Sequence, residues 1–186
     1  MAKATQQAQA VRPPPRLRRA YFDCRYGQLH VHNAIPAGGG FDELTTLICI
    51  HGAGQTGRVF HGLLADLGYE RSIYALDLPG SGVSDPAPGV DPVEASVHAV
   101  EDFLDSMRIR RFDLLAQAEG CQVLRRLAPL RAAQLRRVVL LAEPAGVRAG
   151  ALPQPALQLG AAEVQSPERN RRLADFLSRT TETNLT

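Results

Sequence analysis

The sequence predicts an α/β fold, a mostly parallel sheet of about six strands with helices on both faces. Apolar runs of strand length alternate along the chain with segments whose apolar residues recur at helical spacing. The central runs are apolar at nearly every position, which is typical of parallel strands covered on both faces. With 186 residues, 45 % of them hydrophobic, the chain is long enough for one domain with a sizeable core.

The first half of the chain gives three strands and a helix. Residues 20–34 alternate around a Tyr26-Gly27 turn and predict an antiparallel hairpin. The sequence LTTLICIHG, residues 44–52, predicts a central parallel strand that ends in glycine. Residues 57–67 carry apolar side chains at helical spacing and predict the crossover helix that follows.

The second half repeats the alternation of strand and helix. Residues 71–80 predict a strand that leaves into a glycine-rich loop, and Asp91 and Pro92 then predict the N-cap and first position of a helix. The remaining predicted elements are a strand at 111–117, a helix at 119–130 and a strand at 135–143.

No strand is predicted after residue 143, so strand 135–143 is expected to be a sheet edge. The unpaired backbone groups of an exposed edge strand are usually covered by another segment or paired with another strand. Either the segment that follows covers the strand or a second copy of the chain does, and we expect a homodimer through this strand or through the C-terminal segment.

Composition divides the chain into three segments. Residues 1–19 form a basic lead that we expect to be disordered, because it is rich in Gln, Pro and Arg and contains no acidic residue. Residues 20–147 form the α/β core. Residues 148–186 form a helical, lid-like C-terminal segment, in which Ser166-Pro167-Glu168 caps a short helix.

Bulk properties exclude several classes of function. The net charge is only +2 and no aromatic residues interleave with the arginines, so no nucleic-acid partner is expected. No stretch is long and apolar enough for a membrane span, and the N-terminus lacks a secretory apolar region. Three cysteines without a C-x-x-C pair favour a reducing cytoplasm. No cofactor loop and no cluster of metal ligands is evident.

Four motifs, each at the end of a predicted strand, carry a family resemblance: LICIHGAG, ALDLPGSGVSD, LLAQAEGCQ and VVLLAEPAG. In this order and spacing they resemble the α/β-hydrolase superfamily over residues 20–147. The resemblance implies an α/β-hydrolase-like sheet from which the last two strands are missing. It also implies a pocket at the carboxyl ends of the strands, although fold alone does not assign a function.

The resemblance also implies which residues bind ligand. The glycine-containing loop after the third strand corresponds to the family's oxyanion loop, with the backbone N–H groups of Ala53 and Glu119 as donors. The loop from Asp77 to Asp85 corresponds to a pocket wall. The expected ligand-binding residues are His51, Gly52, Ala53, Gly54, Ser81, Ala118 and Glu119.

At the position of the family's nucleophilic serine this chain has Ala118. The family's base is a histidine that follows the nucleophile in sequence, but all five histidines precede Ala118: His30, His32, His51, His61 and His98. We therefore expect a pseudoenzyme, inactive as a serine hydrolase, that binds a small apolar or acyl-type ligand or a protein partner.

Two alternatives stay open. The chain could be a hydrolase, lyase or isomerase with non-standard chemistry in which Glu119 or Glu143 acts as acid or base. Cys121 is a third catalytic candidate, because its place at a helix N-terminus would lower the pKa of the thiol. The other alternative is a purely structural protein whose pocket is filled by side chains.

Overall fold

The computed structural model describes residues 13–37, 44–144, 155–164, 166 and 168–178. The strands are β1 (Arg16–Cys24), β2 (Gly27–Ile35), β3 (Thr46–Ile50), β4 (Ile73–Leu76), β5 (Phe112–Gln117), β6 (Leu135–Leu141) and β7 (Ala156–Leu159). The helices are α1 (His61–Leu67), which follows a 3₁₀ turn at Gly57–Phe60, α2 (Pro92–Ser106), α3 (Gly120–Leu130), α4 (Ala161–Val164) and α5 (Arg169–Ser178).

All seven strands form one sheet in the order β1-β2-β4-β3-β5-β6-β7. β1 pairs with β2 and β2 pairs with β4 in antiparallel fashion, and every other pairing is parallel. The α/β class and the mostly parallel sheet are therefore confirmed. Because parallel strands end at the same edge, the loops after β3, β4 and β5 come together there, as expected for a site in this class.

The helices cover both faces of the sheet. α2 and α3 pack on one face, where Val97, Val100 and Leu124 are buried, and α1 and α5 pack on the other, where Leu64 and Leu173 are buried. The predicted start of α2 is confirmed, because the Asp91 side chain accepts a hydrogen bond from the backbone N–H of Glu94 at 3.0 Å. Within the described parts of the chain, no helix combines the length and apolarity needed to cross a bilayer.

The prediction that strand 135–143 forms the sheet edge is wrong. β6 pairs with β5 on one side and with β7 on the other, in a register that runs from Val138 opposite Ala156 to Leu141 opposite Leu159. The C-terminal segment thus supplies a seventh strand. A dimer through an exposed β6 loses its physical basis, because the backbone groups of this strand are already paired. A dimer through the C-terminal segment stays a prediction.

The predicted boundary of the basic lead also needs correction. Residues 16–19, assigned to a disordered segment, lie in β1, where Arg16 pairs with Ile35 and Arg19 with His32. Backbone hydrogen bonds to β2 order this stretch, and its charged side chains stay exposed, as suits an edge strand. Residues 1–12 lie outside the described part of the chain.

Candidate functional site

The turn between β5 and α3 keeps a sharp bend. Ala118, at its apex, has φ +49°, in the left-handed region that side-chain-bearing residues rarely adopt. The Ala118 N–H donates to the carbonyl oxygen of Leu141 at 2.8 Å, and the Cys121 N–H donates to the carbonyl oxygen of Ala118 at 3.0 Å. The bend is thus held in a strained conformation of the kind found at functional sites, while its apex carries only a methyl group.

Close backbone approaches place this bend against the loop after β3. A Cβ on Gly120 would lie 2.4 Å from the carbonyl oxygen of His51. A Cβ on Gly52 would lie 2.9 Å from the Ala118 Cβ and 2.9 Å from the Glu119 carboxylate. The Ala118 methyl and the Glu119 side chain therefore face the glycine loop directly. An attacking oxygen would have to lie at the position of this methyl group.

The N–H groups of that loop already have acceptors. The Ala53 N–H donates to Oε2 of Glu119 at 3.2 Å, and the Gly52 N–H donates to Oε1 of Gln55 at 3.2 Å. A backbone donor placed to stabilise an oxyanion would need to be unoccupied when substrate arrives. Here the Glu119 carboxylate already accepts from the Ala53 N–H, which is the donor expected from the sequence.

His51 has a structural role in this site. Its Nε2 accepts from the backbone N–H of Leu78 at 3.0 Å, and its Nδ1 donates to the carbonyl oxygen of Gly52 at 2.7 Å. A backbone N–H can only donate and a carbonyl can only accept, so the ring is the neutral Nδ1–H tautomer. Burial lowers the pKa of His51 below its usual value. The imidazole holds two loops together and has no free nitrogen with which to take up a proton.

A cleft of about 140 Å³ opens beside the bend. Five of the expected ligand-binding residues line it: His51, Gly52, Ala53, Ser81 and Glu119. Gly54 and Ala118, also expected, are not among its lining residues. Leu78 and Pro79 also line it and belong to the loop from Asp77 to Asp85, which was expected to form a pocket wall. The lining residues not expected from the sequence are Pro92, Val93, Ser96, Gly120 and Val123. The start of α2 was predicted, but no sequence pattern placed it over the loop after β3.

Glu143 is engaged away from the cleft. Arg125 on α3 donates to both of its carboxylate oxygens, from Nε to Oε1 at 2.5 Å and from Nη2 to Oε2 at 2.9 Å. Both side chains are largely buried. Such a two-pronged ion pair fixes the geometry of a carboxylate and neutralises it, so Glu143 fastens α3 to the end of β6.

Cys121 is not the activated thiol that its position suggested. Burial, and secondly the nearby Glu143 carboxylate, raise the pKa of its thiol to about 12. The thiol donates to the carbonyl oxygen of Ala116 at 3.6 Å. The expectation of a lowered pKa is therefore wrong, because loss of hydration outweighs the helix N-terminus at this depth.

We expect Cys121 to resist alkylation in the native protein. At pH 8 a thiol with a pKa of about 12 is ionised in roughly one molecule in ten thousand, and Cys49 is likewise fully buried. Iodoacetamide should modify the half-buried Cys24 first, as read by peptide mass spectrometry, whereas urea should expose all three. Preferential labelling of Cys121 in the native state would instead indicate a reactive nucleophile.

The strand order, the glycine loop after β3 and the strained turn after β5 together define an α/β-hydrolase-type fold. A family model described as "Alpha/beta hydrolase family" matches residues 47–184, which is most of the chain. The chain therefore belongs to the alpha/beta hydrolase family. No curated protein matched the sequence.

Solved structures agree with this fold. Cfl2 from Burkholderia cenocepacia is 23 % identical, with a TM-score of 0.62 over 72 % of this chain and 46 % of its own. Naproxen esterase from Bacillus subtilis is 20 % identical, with a TM-score of 0.61 over 70 % and 44 %. The haloalkane dehalogenase DatA from Agrobacterium tumefaciens is 16 % identical, with a TM-score of 0.59 over 68 % and 41 %. The chain matches less than half of each of these proteins, and identities this low indicate fold alone.

Proposed function

We propose that this chain is a non-hydrolytic member of its family that binds a small, largely apolar ligand in the cleft beside Ala118. The observation that carries the proposal is the methyl group at the apex of the strained turn, which faces the glycine loop. The turn keeps the conformation that would present a nucleophile, but a methyl group cannot attack a carbonyl carbon. What the site offers is shape and hydrogen-bonding groups.

The size and lining of the cleft favour a small apolar ligand. Leu78, Pro79, Pro92, Val93 and Val123 supply apolar surface. An apolar cavity of about 150 Å³ holds a benzene-sized molecule, so about 140 Å³ suits a short acyl or alkyl chain. Drug-sized ligands need at least roughly twice that volume.

The Glu119 carboxylate at the cleft selects among such ligands. Glu119 is exposed, and its carboxylate lies beside the glycine loop. A carboxylate accepts hydrogen bonds and repels anions. A ligand that joins a short apolar chain to a hydrogen-bond donor therefore fits better than a free fatty acid of the same length.

Binding of six-carbon probes tests this proposal. We expect 1-hexanol and hexanamide to shift the backbone NMR resonances of the cleft-lining residues, and hexanoate to shift them more weakly at pH 7. The Glu119→Gln variant should reduce the discrimination against hexanoate, because the repelling charge is gone. Failure of both neutral probes to shift any lining resonance would contradict the proposal.

A pair of variants with the same substitution separates the cleft from general effects. Val93 lines the cleft, whereas Val59 lies in the 3₁₀ turn and is 42 % exposed. Val93→Phe should fill the space and weaken 1-hexanol binding, and Val59→Phe should leave it unchanged. Equal affinities in the two variants would place the bound probe elsewhere.

A second candidate function is an enzyme that uses Glu119 as acid or base, because this carboxylate, unlike Glu143, lines the cleft. A hydrolase, lyase or isomerase of this kind would need the carboxylate to reach a substrate proton. Turnover of an ester or lactone by the wild type that disappears in Glu119→Gln would favour this second candidate over simple binding.

Restoring the missing hydroxyl is expected not to restore hydrolysis. In Ala118→Ser the new oxygen would lack the imidazole base that serine hydrolysis needs, because both His51 nitrogens are engaged and His98 Nδ1 is hydrogen-bonded to Tyr26 Oη at 2.7 Å. Hydrolysis of p-nitrophenyl butyrate by Ala118→Ser should equal that of the wild type. A rate tenfold or more above the wild type would show that a histidine does reach the turn.

A further inference from the structure

Three histidines and one aspartate meet on the α1 side of the sheet, outside the cleft. His30 and His32 are alternate residues of β2 and so lie on the same face. β2 pairs with β4, and Asp77 directly follows β4, with its N–H donating to the carbonyl oxygen of His30 at 2.9 Å. His61, at the start of α1, completes the group.

The side-chain nitrogen and oxygen atoms of this group converge on one point. His30 Nδ1 lies 2.9 Å from Asp77 Oδ2, and His32 Nε2 lies 3.5 Å from Asp77 Oδ1. One ligand atom from each of the three residues lies within 4.8 Å of the others. All three side chains are more than nine-tenths buried.

The charge of the group favours a cation. A buried carboxylate is unfavourable unless it is compensated. In the part of the chain that the structure describes, the ion-pair partners found for Asp77 are these two imidazoles, and neither an arginine nor a lysine reaches it. The Gly57 N–H donates to Asp77 Oδ1 at 2.7 Å, which orients the carboxylate but adds no full charge. With neutral imidazoles the group carries one net negative charge.

His61 supplies the outer contact that metal-binding histidines usually have. Its Nε2 lies 2.9 Å from His32 Nδ1. When His32 Nδ1–H donates to His61, the lone pair on His32 Nε2 is directed towards Asp77. The 3.5 Å separation between His32 Nε2 and Asp77 Oδ1 is longer than an ordinary N–H···O hydrogen bond, as expected for two ligands on one ion.

We propose that His30 Nδ1, His32 Nε2 and the Asp77 carboxylate bind one divalent transition-metal ion, with Zn²⁺ the best match. Zinc takes imidazole and carboxylate ligands at about 2.0–2.2 Å, which places tetrahedral neighbours about 3.3–3.5 Å apart. The 3.5 Å separation between His32 Nε2 and Asp77 Oδ1 falls in that range, whereas the 2.9 Å contact between His30 Nδ1 and Asp77 Oδ2 is a hydrogen bond that the ion would replace. Mg²⁺ and Ca²⁺ fit less well because they prefer oxygen ligands.

The bound ion would have a mechanical effect on the rest of the fold. It would fasten β2 to the loop after β4, whose next residues, Leu78 and Pro79, form a wall of the cleft. No metal-ligand cluster was evident from the sequence, because His30 and Asp77 are 47 residues apart and the antiparallel pairing of β2 with β4 brings them together. The sequence signal that could have indicated the site is the H-x-H pattern of His30 and His32 on one strand.

Zinc titration of the full chain after removal of metal with EDTA tests the site. We expect one equivalent of Zn²⁺ to bind in competition with a chromophoric chelator, and Zn²⁺ to raise the Tm. The double variant His30→Gln/His32→Gln should bind at least about 100-fold more weakly, since even outer-contact changes weaken metal sites 10- to 100-fold. His98→Gln is the control, because His98 contacts Tyr26 outside the group.

A second measurement on the wild type covers the case in which the double variant does not fold. Co²⁺ in place of Zn²⁺ should give the intense visible absorption of four- or five-coordinate cobalt, and Zn²⁺ should shift the NMR signals of His30 Nδ1 and His32 Nε2. The proposal is overturned if the wild type binds no Zn²⁺, if the folded double variant binds it equally well, or if those two nitrogens do not respond.

Discussion

Replacing Asp113 by alanine is expected to lower the free energy of unfolding by about 3–5 kcal/mol, since it removes one partner of a buried ion-pair network. The Asp113 side chain is fully buried on β5 and accepts from Arg71 at 3.2 Å and from Arg136 at 2.8 and 2.5 Å. Arg136 also donates to the carbonyl oxygen of Leu177 in α5 at 2.6 Å. The change leaves the Arg71 charge, only 2 % exposed, without its carboxylate.

Asp105→Ala is the control for this change. Asp105 also pairs with an arginine, Arg131, at 2.7 Å, but its side chain is 62 % exposed. Exposed pairs contribute at most about 1 kcal/mol. Urea unfolding followed by circular dichroism should separate the two variants by about 2 kcal/mol or more. Similar losses in both would mean that the network around Asp113 contributes no more than a surface pair.

Gly120→Ala is expected to destabilise the fold by roughly 3 kcal/mol, the upper part of the range for overpacked sites. The added Cβ would lie 2.4 Å from the carbonyl oxygen of His51 and 3.0 Å from that of Ile50. Both are backbone atoms at the end of β3, so neither can move aside as a flexible side chain would. The start of α3 must shift, and with it the strained turn at Ala118.

Gly62→Ala provides the opposite expectation for the same substitution. Gly62 lies in α1, and nothing stands within 4 Å of a Cβ placed on it. Alanine in a helix is favoured over glycine by about 0.5–1 kcal/mol, so this variant should be slightly more stable than the wild type. Thermal unfolding of the two variants beside the wild type measures both effects. A Gly120→Ala protein as stable as Gly62→Ala would refute the close packing of the turn.

Elements of the fold were predictable from the sequence where many residues followed one pattern. β3 is an apolar run covered on both faces, and α2 has both a capping residue and an apolar stripe, so both were predicted. β7 was missed because it has four residues, Ala156–Leu159, in a stretch rich in Ala, Gln and Pro. Alanine and glutamine have little preference for strands. Pairing with the apolar β6 decides its conformation, and sequence alone does not reveal that partner.

The site was predictable where local sequence determines local geometry. The turn that puts Ala118 at its apex follows from the strand, the small residues and Gly120, all within a few positions. The contacts that decide its chemistry join distant residues: Ala53 with Glu119, 66 positions apart, and His30 with Asp77. The burial that raises the pKa of Cys121 is also a tertiary property. Such contacts depend on the order of the strands in the sheet, and no local sequence motif indicates that order.

Labelling of the wild-type chain with a serine-directed fluorophosphonate, read by intact mass, tests most directly the claim that the site does not perform serine hydrolysis. We expect an unchanged mass, because the apex residue is Ala118 and because the Ser84 hydroxyl donates to the carbonyl oxygen of Asp77 at 2.7 Å. A stoichiometric phosphonyl adduct on any serine, above all on Ser81 in the cleft, would contradict it, because it would reveal an activated nucleophile.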